Sequence, residues 1–171
     1  RFAGTGVLGA SYTDGRAALE GSFGTPYGIA VDAAGAVYVA DDDCAIRRIG
    51  SDGAMRLYAG LPGLCANPPD GSVPKDARFG RLRGLTFDAA GNLFATDISY
   101  HKVWRIGADG VVRTFAGTGL PGTSTGALPA FQTPLNTPLS VAVAADNTVY
   151  IADSGNNRIL RIGADNRSIN Y

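Results

Sequence analysis

Three carboxylates and three guanidiniums stand at matching places along this chain: Asp41, Asp97 and Asp153, and then Arg48, Arg105 and Arg161. Such a set could act as acid–base groups or as a ring of cation ligands. A structural role fits better, because a residue repeated in every unit answers a need that every unit has. Here that need is capping a turn and holding an Arg between sheets, and an Asp–Arg pair would be charge-assisted and would satisfy groups that are costly to bury. Asp32 and Asp88 are weaker partners for the Arg series, since Ala144 breaks their recurrence while Arg161 remains. Beyond these, the reactive side chains are two cysteines, Cys44 and Cys65, and one histidine, His101. A lone His and two cysteines do not make up a zinc ligand set. No nucleophile elbow, phosphate loop or Cys–His pair is present, so no metal or cofactor is expected. His101 is expected to lie solvated beside Tyr100.

The elements that carry these residues repeat. Aligned on Phe2, Tyr58 and Phe115, the copies are 56 and 57 residues apart, and a fourth start falls on Tyr171. Each copy reads as four short strands. In the first, Gly28–Asp32 is an apolar strand, Ala33-Ala34-Gly35 a tight turn, and Ala36–Asp41 its hairpin partner. Ala45–Ile49 follows, then the turn Gly50-Ser51-Asp52-Gly53 and an outer strand Ala54–Tyr58. In the third copy Asn147 replaces the turn glycine, and Asn tolerates the positive φ required there. Ser140 replaces the glycine that opens the inner strand, and Thr125-Gly126 replaces the Asp-Gly pairs 14–15 and 70–71.

Four antiparallel strands per unit, apolar on both faces of the inner strands, predict an all-β chain of three β-propeller blades, bounded near 2–57, 58–114 and 115–171. The motifs Phe-Ala-Gly-Thr-Gly (2–6 and 115–119), Pro26-Tyr27-Gly28-Ile29-Ala30-Val31-Asp32, Val37-Tyr38-Val39-Ala40-Asp41 and Ile159-Leu160-Arg161-Ile162 resemble NHL repeats along the whole chain. Three blades fall short of the four to eight that close a ring. The expectation is a segment of a longer, six-bladed propeller, with a ring made from two copies as the alternative. NHL-like propellers include an amidating lyase that holds zinc with several histidines, which a chain with His101 alone does not match. The resemblance therefore implies a noncatalytic interaction or scaffold module. A fragment of a propeller lyase or hydrolase whose active residues lie in other blades is the alternative.

Composition narrows the partners. The chain is 45% apolar and 18% charged, with 15 basic and 15 acidic residues, so no global field draws it to nucleic acid. A basic loop face for RNA would rest on Lys75, Arg78, Arg81 and Arg83, interrupted by Asp70 and Asp76. No apolar run is long enough for a membrane span. Up-and-down strand order puts the short loop holding Cys44 and the long interblade loop holding Cys65 on one rim. A Cys44–Cys65 disulfide is sterically open there and would imply an oxidising compartment; two free thiols are the other reading. Asn166-Arg167-Ser168 is a glycosylation sequon at a turn and points the same way, toward an extracellular or secretory location. The long loops differ while the strands do not, so the rim is expected to hold a protein or glycan. Within it Leu61, Leu64, Pro68 and Pro69 are the expected contacts, unless they pack on their own blade.

Overall fold

The computed structural model describes residues 1–9, 14–124 and 126–169. Three antiparallel sheets follow one another along the chain. The first holds β1 (Arg16–Ala17), β2 (Pro26–Val31), β3 (Val37–Asp41), β4 (Ala45–Ile49) and β5 (Ala54–Gly60), in the order β1-β5-β4-β3-β2. The second is β6 (Leu82–Phe87), β7 (Leu93–Asp97), β8 (Lys102–Ile106) and β9 (Val112–Ala116). The third is β10 (Pro138–Val143), β11 (Val149–Asp153), β12 (Arg158–Ile162) and β13 (Ser168–Ile169). These are the expected β-propeller blades, all-β and antiparallel. The sequence boundaries at 57/58 and 114/115 fall inside β5 and β9, so repeat and sheet are offset by a few residues. Thr125 and Tyr171, on which two of the repeat comparisons rest, lie outside the described residues.

The tight turns form as the residue types dictate. Gly35, Gly91 and Asn147 take φ of 82°, 80° and 63°, and each donates its N–H to the carbonyl three residues back. Asn thus keeps the third turn intact. At the opposite end of the blades, Cys44, His101 and Asn157 share one repeat position in the loop after the second strand. All three have positive φ, at 68°, 49° and 52°.

Blades bury their faces against one another. Between the first and second, Tyr38 and Ile46 pack with Leu85, Leu93, Phe79 and Trp104. Tyr38 meets Tyr58 and Phe87 edge-on, at centroid distances of 4.8 and 4.9 Å. The repeat-equivalent Phe94 meets Phe115 at 4.9 Å between the second and third blades, beside Val103, Val141, Ile151 and Leu160. Such edge-to-face pairs add about 0.5–1.5 kcal/mol each beyond burial. The inner strands come closest at two glycines. A Cβ on Gly28 would sit 2.0 Å from the Arg83 carbonyl oxygen, and one on Gly84 2.8 Å from the Ser140 Cα.

The two outward faces of the stack are different. Tyr150 and Ile159, equivalents of the buried Tyr38 and Ile46, are 40% and 66% exposed, and Ile29 and Val31 on the first blade are 64% and 55% exposed. The rest of the first blade's outward face is covered by the chain itself, where Ala3, Ala18 and Phe23 lie on Val39, Ile49 and Met55.

Candidate binding rim and inner-strand cleft

The repeated Asp residues close each blade. Asp41 accepts hydrogen bonds from the backbone N–H groups of Gly24, Thr25 and Asp42 at 2.9, 2.7 and 2.9 Å. Asp97 accepts from Gly80, Ser99 and Tyr100 N–H and from the Trp104 indole at 3.0 Å. Asp153 accepts from Asn136 N–H at 2.6 Å, from the Asn156 amide and from Arg158 Nε at 2.7 Å. In every blade the carboxylate ties the incoming interblade loop, just before the inner strand, to the end of the second strand. Burial pushes the Asp97 carboxyl up, against the lowering effect of the Trp104 and backbone N–H bonds.

The expected Asp–Arg pairing does not form: among the described residues no ion pair joins Asp41 to Arg48 or Asp97 to Arg105. Register is the reason. Tyr38 stands opposite Arg48 while Asp41 stands opposite Ala45; the carboxylate and guanidinium are three residues apart along the ladder, about 10 Å. Arg48 Nε instead donates to the Tyr38 hydroxyl at 3.0 Å, and that hydroxyl donates to Asp32 at 3.1 Å. Arg105 reaches Asn92 at 2.8 Å, and the Asn92 amide donates to Asp88. In the first two blades the Arg series thus connects to the carboxylates at 32 and 88 through a polar side chain.

His101 is half-buried rather than solvated. Its Nδ1 accepts the Thr137 N–H at 2.9 Å, linking the second blade's short loop to the start of the third.

Cys44 and Cys65 are bonded, with Cα atoms 5.5 Å apart. The short loop and the long loop do share a rim. A Gly63 N–H bond to the Asp43 carbonyl and an Ala66 N–H bond to that of Phe79 hold the loop beside the disulfide. The loop then leaves the rim. Asp70 accepts from the Thr114 N–H and hydroxyl at 2.8 Å, while Gly71 and Ser72 exchange backbone bonds with Val112 along the outer edge of the second blade. Phe79 returns it to the core. Of the four expected contacts, Leu64 and Pro69 are exposed and Leu61 is half-buried, but Pro68 is buried. Pro68 follows Asn67, whose side chain accepts from Lys102, at the bend where the loop folds down onto the second blade. Asn166 is exposed at its turn, with φ of 63°.

One polar cluster escaped the sequence reading. Asp42 accepts from Arg81 through Nε and Nη2 at 3.0 and 2.8 Å, and from Arg83 Nη1 at 2.8 Å. Those two guanidiniums, Arg81 first, hold the Asp42 carboxyl below the usual carboxylate range. Arg83 lies over the Tyr27 ring, its Cζ 3.6 Å from the centroid. The cluster opens on a cleft of about 510 Å³ at the starts of the three inner strands, lined by Tyr27, Ile29, Arg83, Leu139 and Ser140 among others. A signal for it was available. Tyr27, Arg83 and Leu139 occupy one repeat position with three different chemistries, and Asp42 stands where the other copies have Ile98 and Ser154.

Comparison with known proteins agrees with this architecture. The NHL repeat family matches residues 135–162. No curated protein matches the chain. Among solved structures, the chain is similar to a protein of unknown function from Bacteroides thetaiotaomicron, at 24% identity and a TM-score of 0.72 over 84% of this chain and 36% of that one. It is also similar to an auxiliary nutrient binding protein from Bacteroides ovatus (21% identity, TM-score 0.69, 89% and 39% covered). A third is a virginiamycin B lyase from Staphylococcus aureus (21%, 0.57, 85% and 40%). The chain therefore spans well under half the length of these structures. Likeness at this identity speaks for the fold alone: the chain is a run of β-propeller blades, and within it residues 135–162 match the NHL repeat.

Proposed function

We propose that this chain is a noncatalytic interaction module working in an oxidising, extracellular or envelope compartment, and that it holds a protein or glycan partner on the rim beside the disulfide. One observation carries the reading: the loop bearing Leu64 and Pro69 is fixed by the Cys44–Cys65 bond and by backbone bonds on both sides, yet leaves Leu64 55% exposed. A preorganised apolar group loses little entropy on binding. The groups that might do acid–base work are engaged elsewhere, since Asp41, Asp97 and Asp153 accept structural hydrogen bonds and His101 accepts one from Thr137. The exposed faces at Ile29 and Val31 and at Tyr150 and Ile159 support a larger propeller, completed by further blades of the same polypeptide or by a second copy.

Glycan and extracellular-protein arrays probed with the chain and with its Leu64→Ser variant test the rim. A drop of roughly tenfold or more in the variant, at unchanged melting temperature, is expected for a hot-spot contact. Equal binding by both proteins would remove Leu64 from the interface and the rim reading with it.

A further inference from the structure

We propose that the inner-strand cleft is a binding site for a small carboxylate-bearing ligand, with Arg83 as its anchor. This goes beyond the rim reading and stands on separate residues. The Arg83 side chain is 10% exposed and is held by three partners: the Tyr27 ring against its Cζ, and Asp42 and the Leu82 carbonyl on Nη1, both at 2.8 Å. Nε and Nη2 have no partner among the described residues, and they form the edge of a guanidinium that takes a carboxylate in two parallel hydrogen bonds. A guanidinium oriented this firmly, with three of its five N–H donors unused at the edge of the cleft, is preorganised for an acceptor there.

Charge points the same way. One carboxylate, Asp42, is shared by Arg81 and Arg83, which leaves the cluster with one positive charge. The cleft beside it has the size of a small-molecule site, about 510 Å³. Its walls supply the exposed Tyr27 on one side and Leu139 with Ser140 on the other, so an apolar or sugar-like body fits beside the anionic end. The cluster also belongs to one blade junction only. The matching positions at the next junction are Ile98, Thr137 and Leu139, which cannot reproduce it, so it does not serve a need common to all blades.

The test uses the full chain with glucuronate, glucose and inorganic phosphate as probes, followed by NMR through the Arg83 Nε–Hε resonance and by calorimetry. Glucuronate is expected to shift that resonance saturably, to bind at least roughly tenfold more tightly than glucose, and to lose at least tenfold in affinity in Arg83→Gln. Arg83→Lys, which keeps the charge and loses the fork, is expected to fall between. Equal binding of glucose and glucuronate would overturn the proposal, as would phosphate binding in place of glucuronate. An Arg83 resonance unmoved by glucuronate at about 10 mM would overturn it too, since that concentration exceeds the millimolar affinity expected of even a weak specific site. Should Arg83→Gln fail to fold, the wild-type titration decides alone.

Discussion

The two blade junctions are built on one plan and finished differently. Both stack aromatic rings edge-on near the blade middle, Tyr38 with Tyr58 and Phe87 at the first, Phe94 with Phe115 at the second. On the loop side they part. The first carries the disulfide and the Asp42–Arg81–Arg83 cluster, whereas the second is closed by hydrogen bonds, Thr137 N–H to His101 and the Thr96 hydroxyl to the Leu139 carbonyl. At the shared αL position of the short loop, Cys44 and His101 each turn a residue that the turn merely requires into a tie to another segment. Repetition supplies the scaffold, and what is not repeated distinguishes one junction from the next.

The largest effect should come from the blade-closing carboxylates, and it should differ between blades. Asp97→Ala leaves three backbone N–H groups and the Trp104 indole without an acceptor, the Gly80 N–H and the indole in buried positions. The expected loss is about 4 kcal/mol, against about 2 kcal/mol for Asp41→Ala, whose donors are partly solvated. Urea titrations followed by Trp104 emission measure both; equal losses would mean that the clamps do not depend on burial. Next in size is the disulfide. Replacing both cysteines with Ser should cost about 3 kcal/mol for a closed loop of this length. Hydrogen exchange should then quicken at Gly63 and Ala66 while Thr137 keeps its protection. Loss of protection at both junctions together would show that they open as one unit.

Much of the scaffold could be read before any coordinates, because the signals were local. Alternating apolar strands, turn glycines and a period near 57 residues place the sheets, and Asn147 was recognisable as a residue able to replace a turn glycine. Strand order brings the two cysteines to one rim and leaves their pairing open, and the structure bonds them. What failed needed register across the ladder. Asp41 and Arg48 look like partners in sequence, but Tyr38↔Arg48 pairing sets them about 10 Å apart. Strand order alone puts the long loop on the rim, whereas Asp70 draws its middle to the outer edge of the second blade, Pro68 is buried and Phe79 enters the core. The sequence marks Arg83 and Asp42 as departures from the repeat but does not pair them, since they lie 41 positions apart.

A smaller effect separates the chemistry of His101 from its backbone. Asn prefers positive φ, and its Oδ1 occupies nearly the place of an imidazole Nδ1. His101→Asn should therefore stay within about 0.5 kcal/mol of the parent, and His101→Ala should lose about 1–2 kcal/mol through the missing acceptor and the αL strain. If Asn destabilises as much as Ala, packing of the ring rather than the Thr137 bond closes the second junction.

The smallest effect is a pH dependence that belongs to the first junction. Asp42 is held below its ordinary value by Arg81 and then Arg83, so its folded pKa lies under the unfolded value of about 3.9. For a depressed carboxylate, the stabilisation is complete above the unfolded pKa and disappears as pH falls through the folded one. The pair is partly exposed, so the contribution is at most about 1 kcal/mol. Wild type should therefore exceed Asp42→Asn in stability by that amount at pH 7 and pH 5, and the two curves should converge as pH falls through the folded pKa of Asp42. A gap that persists into acid would mean that Asp42 acts through the shape of the loop. In that case Arg83 would be oriented by Tyr27 and the Leu82 carbonyl alone, and the contrast between the junctions would rest on the disulfide.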